Sequence, residues 1–272
     1  MPSITRAFVL LSYERLLFYF CNMYTLKKSL GQHFLKDESV SKRIVEELGK
    51  QPFTNLVEVG PGGGALTKYL LQLPGINFKA VEVDDEKVAY LQKTYPDLKD
   101  KIIHQSILDI DLPFTEPFTV VGNFPYNIST EIVFKMIDWR SSVQCMVGMF
   151  QKEVALRLAA KEGSKVYGVI SVLTQAYYDV EYLFEVSEEA FNPPPKVKSA
   201  VIRLVPVKET LQVKSDAQFK NLVKTAFQQR RKMLRNAVKG LFDATTLQKE
   251  IFNKRPEQLS IHDFARLTFE MQ

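Results

Sequence analysis

From residue 38 onward the apolar positions switch between two periods. Residues 38–48 (ESVSKRIVEEL) place Val40, Ile44, Val45 and Leu48 on one helical face, and Asp37 stands where a cap belongs. Short runs rich in β-branched residues follow at 55–59 (NLVEV), 78–83 (FKAVEV), 101–104 (KIIH) and 118–121 (FTVV). Residues 65–73 and 85–94, between those runs, have helical spacing. Apolar strands alternating with helices predict βαβ units and a parallel sheet covered on both faces. Next come a strand at 142–149 (SVQCMVGM) and a helix at 152–160.

Two alternating runs, 179–186 (DVEYLFEV) and 199–205 (SAVIRLV), flank a proline-rich turn at 192–195 (NPPP). They predict an antiparallel pair that completes a seven-stranded mixed sheet, an α/β fold. After Pro206 the strand signal stops. Residues 219–239 are helical in period and 256–271 carry another short helix, so a small all-helical domain is expected at 207–272, behind a main domain at 24–206.

Residues 1–22 (MPSITRAFVLLSYERLLFYFCN) are apolar but interrupted by Glu14 and Arg15. The uncharged stretches fall short of the roughly 20 residues a membrane span needs. No clean signal-peptide core with a small-residue cleavage site is visible either. Residues 1–23 are expected to be an extension upstream of a functional start at Met23; the alternative is an N-terminal helix packed on the domain.

Composition narrows the class. The chain has 272 residues, 46% apolar and 25% charged, average values that exclude collagen, low-complexity disorder and coiled coil as the main class. Two cysteines, Cys21 and Cys145, cannot build a disulfide framework or a four-cysteine zinc site. The chain therefore reads as intracellular, and no metal and no membrane association are expected. The net charge of +5 is unevenly placed: residues 207–272 hold 13 Lys/Arg against 7 Asp/Glu, while the rest is close to neutral. A basic tail of this kind suits a polyanion, nucleic acid before membrane, or else a solvated helical face.

The first strand runs into Glu58-Val-Gly60-Pro-Gly62-Gly63-Gly64, just before a helix. Glycines serve where the backbone turns sharply and must approach a ligand. Glu82 ends the second strand, 22 residues after Gly60, where a carboxylate accepts from a ribose diol. Glu58, inside a strand, is costly as a charge unless paired. NAD and S-adenosylmethionine both fit a glycine turn plus an acid. The E-x-G-x-G-x-G order looks like motif I of the class I methyltransferases and tilts the balance to S-adenosylmethionine.

Asn123-Phe124-Pro125-Tyr126 follows the fourth strand, at the sheet edge where open α/β folds bind ligands. An adenine amine is a poor nucleophile because its lone pair is delocalised into the ring. Two acceptors, the Asn123 side-chain oxygen and the Phe124 carbonyl, would favour a pyramidal nitrogen and aim its lone pair at a methyl group. Tyr126 offers a face for stacking, worth roughly 1–3 kcal/mol per base. Pro125 fixes φ and stiffens the turn. The same tetrapeptide alone would read as an ordinary Asx/Pro turn.

These motifs, with 27–35 (KKSLGQHFL), 122–129 (GNFPYNIS), 151–155 (QKEVA), 191–199 (FNPPPKVKS) and 227–235 (FQQRRKMLR), occur in one order. The chain resembles the ribosomal RNA adenine N6,N6-dimethyltransferases, in their bacterial small-subunit branch. The resemblance runs from about Leu26 to Leu267. It implies a Rossmann-like class I S-adenosylmethionine-dependent methyltransferase fold, with S-adenosyl-L-methionine as cofactor. It also implies that His33 and Leu35 cover the methionine end, Gly60 and Gly62 approach the cofactor, Glu82 holds its ribose, and Asn123 contributes as well. Where the family usually has Asp against the cofactor adenine, this chain has Ser106, a weaker acceptor than a carboxylate. His33 stands where Asn is frequent, and Phe124 where Leu is commoner. Phe191 would stack on the second face of the target base; without the resemblance it reads as a core residue.

In the same family the helical domain grips RNA, which here implicates Arg230, Arg231, Lys232 and Arg235; phosphate contacts of that kind set affinity and orientation. The implied activity is dimethylation of two adjacent adenosines near the 3′ end of 16S rRNA, in the assembling 30S subunit, by a monomer. The rivals are a large-subunit adenine methyltransferase of the macrolide-resistance type and a ribosome-assembly factor with little catalysis.

Overall fold

The computed structural model describes residues 33–272. The extension at 1–23, the start at Met23 and the 27–32 part of the KKSLGQHFL motif lie outside the described residues. Strand β1 (Phe34–Leu35) opens the described chain, and α1 (Glu38–Leu48) follows. The Asp37 carboxylate caps α1 by accepting from the Ser39 N–H, and Ser41, Ile44 and Leu48 face inward at helical spacing.

Then come β2 (Asn55–Val59), α2 (Thr67–Leu70), β3 (Asn77–Glu82), α3 (Asp85–Thr94), β4 (Ile102–His104) and β5 (Phe118–Asn123). Next are α4 (Ser129–Asp138), β6 (Val143–Gln151), α5 (Lys152–Leu158), α6 (Val169–Gln175), β7 (Tyr178–Val186), β8 (Phe191–Asn192) and β9 (Ser199–Pro206). Helices α7 (Asp216–Gln228), α8 (Leu234–Val238) and α9 (Ile261–Thr268) end the chain, with short 3-10 turns between α8 and α9. Among the described residues no helix is long and apolar enough to cross a membrane.

The seven-stranded sheet has the order β4-β3-β2-β5-β6-β9-β7. The first five are parallel neighbours; β9 runs antiparallel between β6 and β7. The expected antiparallel pair is therefore present, with its second strand inserted inside the sheet and its first strand at the edge. A separate two-stranded ribbon pairs Leu35 with Phe191 and Phe34 with Asn192.

β2 is buried at every position and β5 at all but the last, which suits strands covered on both faces. One apolar cluster joins Val57, Val120 and Met146 to Ile132 of α4, Val172 of α6, and Phe219 and Phe264 of the C-terminal helices. The opposite face packs Leu56, Phe78 and Val121 against Ile44, Leu70 and Leu91 of α1, α2 and α3.

Two helices are shorter than the apolar spacing predicts. The helix expected at 65–73 is reduced to α2, because the glycine turn continues through Gly64 (φ +81°). The stretch expected as one helix at 219–239 is broken at 229–233. Phe219, Leu222, Val223 and Ala226 are buried, but 228–232 (QQRRK) offers no apolar residue to continue that face. The chain turns, and α8 buries Leu234 and Val238 from a new direction. The basic run 228–235 thus lies mainly on a turn, not on a helix.

Candidate functional site

Parallel strands release their chain at one edge, and four adjacent strands do so here. Glu82 of β3 pairs with His104 of β4, Val59 of β2 with Val81, and Glu58 with Val121 of β5. At or just beyond those ends stand Gly60, Ser106 and the tetrapeptide Asn123–Tyr126, whose first residue closes β5. Sheet order, not chain proximity, brings them together.

The glycine turn meets two independent constraints. Gly60 and Gly62 take φ of +67° and +55°, a region most side chains avoid. A Cβ on Gly64 would stand 2.8 Å from the Tyr95 ring, so only hydrogen fits. A Cβ on Gly60 would lie 3.7 Å from Pro125 Cδ, which sets the turn directly beside the tetrapeptide. The Gly62 side is open, with nothing nearer than the Gly60 carbonyl at 3.9 Å.

Glu82 is buried and ties the turn to α3. Its Oε2 accepts from the Gly62 N–H at 3.1 Å, and its Oε1 accepts from the N–H groups of Val83 (3.0 Å) and Asp84 (3.1 Å). Glu58 is 1% exposed and accepts at Oε2 from the Thr67 hydroxyl at 2.6 Å. Burial is the main reason that its carboxyl is pushed up to about 8; the Glu82 charge adds to the rise, and the Thr67 bond opposes it. A neutral carboxyl can occupy this strand with no cation beside it. Ser106 is half-buried, and its hydroxyl accepts from the Leu108 N–H at 3.2 Å.

The tetrapeptide is anchored by its second residue. The Phe124 ring is 1% exposed and lies edge-on to Phe150, with centroids 5.1 Å apart. Gly122 and Gly148 are cross-strand partners that leave room for that ring: a Cβ on Gly148 would come within 2.1 Å of it, and one on Gly122 within 2.7 Å. The Phe124 N–H donates to Met149 O at 3.2 Å. Asn123 is half-buried, and no hydrogen bond among the described residues engages its carboxamide. Tyr126 is half-buried; desolvation raises its phenol, while the bond to the Ser199 hydroxyl at 2.6 Å works in the opposite direction.

The ribbon closes the site. His33 donates Nδ1–H to Pro193 O at 2.8 Å, and its ring centroid lies 5.7 Å from that of Tyr126. Leu35 is 7% exposed beside its partner Phe191, whose ring is 1% exposed within the apolar cluster.

The basic residues divide by role. Arg230 donates to Ser164 O at 3.2 Å and faces Glu257 at 3.7 Å, and Arg235 donates to Asn253 Oδ1. Arg231 and Lys232 are exposed. A hollow of about 660 Å³ opens between Gln229, Lys232, Arg235, Asn236, Lys239 and Gln248, with no carboxylate in its lining.

Sequence reasoning missed Ser199, the Gly122–Gly148 slot and Thr67. Ser199 closes the 191–199 motif, and a glycine inside the 142–149 strand was the available sign of close approach.

The family of ribosomal RNA adenine dimethylases matches residues 23–270 of the chain. A Ribosomal RNA small subunit methyltransferase A of Flavobacterium johnsoniae is 49% identical over 250 residues, covering 90% of this chain and 95% of that protein. The protein of the same name from Bacteroides fragilis is 50% identical over 252 residues, covering 90% and 92%. Among solved structures, a dimethyladenosine transferase from Plasmodium falciparum superposes with a TM-score of 0.73 at 24% identity, covering 88% of this chain and 97% of that one. This last likeness concerns the fold.

Proposed function

The chain belongs to the ribosomal RNA adenine dimethylase family, and from that premise we propose how its residues carry the reaction. It is an S-adenosylmethionine-dependent enzyme that dimethylates adenine N6 in small-subunit ribosomal RNA. The finer reading is that it modifies two adjacent adenosines near the 3′ end of 16S rRNA, in the assembling 30S subunit, as a cytoplasmic monomer. Two relatives of about 50% identity named for the small subunit support that reading over the large-subunit rival.

The glycine turn suits the methyl donor. Its backbone is open at Gly62, and the Glu82 carboxylate stands at the adjoining strand end. Gly60 and Gly62 would admit the donor, Glu82 would accept from its ribose, Ser106 would meet its adenine, and His33 and Leu35 would cover its methionine end. S-adenosylmethionine, when bound, supplies an electrophilic methyl carbon on a sulfonium.

The remaining chemistry belongs to the tetrapeptide. The Asn123 oxygen and the Phe124 carbonyl accept the two amine hydrogens, which localises the nitrogen lone pair. Pro125 stiffens the turn, and the buried Phe124 ring keeps its carbonyl from rotating away. Tyr126 stacks on one face of the base. Phe191 would meet the other face, which requires its ring to leave the cluster it occupies here. No strong general base is needed, because the amine becomes acidic as it is alkylated; the catalysis is positioning plus preorganised electrostatics. Arg230, Arg231, Lys232 and Arg235 serve RNA binding, Arg231 and Lys232 by direct phosphate contact and the other two by shaping the turn.

One observation carries the reading: a half-buried carboxamide with no partner among the described residues stands at the end of β5, next to the glycine turn. Asn123→Ala is expected to lower methyl transfer by about 10²-fold or more while particle binding survives. Unchanged turnover in that variant contradicts the assignment.

A further inference from the structure

Tyr126 sits in the turn between β5 and α4, and its backbone is well held. The Ser129 hydroxyl donates to its carbonyl at 3.2 Å, and the Ile128 N–H donates to Pro125 O at 3.2 Å. These bonds fix the Cα but leave the ring two torsions. A base stacked on a ring of variable plane would present its amine at variable angles to Asn123 and Phe124.

The far end of the ring meets Ser199, 73 residues away in the chain. Ser199 is fully buried, and its backbone cannot yield, since it pairs with Gln151 of β6 on one side and Val186 of β7 on the other. Its hydroxyl lies 2.6 Å from the Tyr126 hydroxyl, a short and well-formed bond. The His33 ring stands near Tyr126 at an interplanar angle of 31° and is itself held to Pro193 O. The phenol is thus fixed at its tip by a residue of the central sheet.

We propose that Ser199 is a positioning residue for the transfer reaction, setting the plane of the Tyr126 ring so that the stacked adenine presents N6 to its two acceptors. The proposal rests on the reading of Tyr126 as the stacking surface. It differs from ordinary core packing in where its effect falls. Loss of the hydroxyl pair leaves the ring present for binding but loosens its angle, so turnover drops while affinity for the particle holds.

The test is a double-mutant cycle on unmethylated small-subunit particles, with kcat and KM measured for Ser199→Ala, Tyr126→Phe and the pair. Each single variant removes the same bond from one end. Each is expected to lower kcat about 5- to 20-fold with KM within about 2-fold, and the double variant is expected to be no slower than the slower single. A further loss from Ser199→Ala in the Tyr126→Phe background, or no loss in the wild-type background, overturns the proposal. Should Ser199→Ala fold poorly, Ser199→Thr and Ser199→Val supply a matched pair of equal shape. Turnover kept by Thr and lost by Val supports the tether, whereas equal turnover refutes it. Tyr126→Ala separates the two readings: if it keeps wild-type turnover, the stacking role itself fails, whatever Ser199 does.

Discussion

Glu58 holds a carboxyl where water does not reach, and its proton has a measurable consequence. In the unfolded chain it titrates near 4.5; in the fold it is pushed to about 8. At pH 4 both states are protonated and the group costs nothing. As pH rises through 4.5 the unfolded chain releases its proton while the folded chain keeps it, so this group's contribution to stability is lost progressively up to about pH 8. Glu58→Gln removes that dependence. The variant is expected to lie within about 1 kcal/mol of the wild type at pH 5 and to exceed it by roughly 2–4 kcal/mol at pH 8.5. Denaturant titrations at the two pH values check this, and a difference that does not change with pH contradicts it.

The glycine slot under Phe124 acts at the same scale. Gly148→Ala forces a Cβ into the Phe124 ring and is expected to cost about 1–3 kcal/mol, with a fall in turnover because Asn123 and the Phe124 carbonyl shift with the ring. Phe124→Leu added to it is expected to restore part of both. If Gly148→Ala loses stability but keeps full turnover, the slot has no part in aiming the tetrapeptide. At this scale the sequence was legible where backbone conformation singles out a residue, as at the left-handed Gly60 and Gly62. It was silent where two distant residues meet, as at Gly122–Gly148 and Tyr126–Ser199, because no local pattern encodes a cross-strand contact.

Among elements, α1 is tied to the sheet by Arg203 of β9, whose guanidinium is 7% exposed. It donates to the Glu47 carbonyl and carboxylate near the end of α1, and to Glu181 of β7. The arginine is buried, but Glu181 is exposed and Glu47 keeps Lys50 as a partner, so Arg203→Ala loses its hydrogen bonds and packing without stranding a buried charge and is expected to destabilise by about 1–3 kcal/mol. A thermal melt indistinguishable from wild type contradicts that. The basic turn at 229–233 gives a second test. Arg231→Ala combined with Lys232→Ala is expected to reduce the salt dependence of RNA binding by about 2 in slope, with little change in stability. An unchanged slope places the phosphate contacts elsewhere.

Elements with a strong period and a side-chain cap were legible to within a residue, as α1 and α3 with Asp37 and Asp84 illustrate. The short β1–β8 ribbon was not, since two-residue strands carry no period. The break between α7 and α8 was hidden because basic residues are good helix formers and only the missing apolar face marks the turn.

For the molecule as a whole, the order β4-β3-β2-β5 brings Ser106, Glu82, Gly60 and Asn123 to one edge although they span 63 residues of chain. That topology follows from parallel βαβ repetition, which the alternation of periods announced. The C-terminal helices share an apolar cluster with one sheet face, and they present the basic turn as part of the same body. On the proposed reading, this edge alkylates adenine N6 in small-subunit rRNA. The direct measurement incubates the enzyme and isotopically labelled S-adenosylmethionine with small or large ribosomal particles that lack the modification, then locates the labelled nucleoside by mass spectrometry. N6,N6-dimethyladenosine at two neighbouring positions near the 3′ end of the small-subunit RNA, and none in the large particle, is the expected result. Label in the large-subunit RNA, or on any atom other than adenine N6, contradicts it.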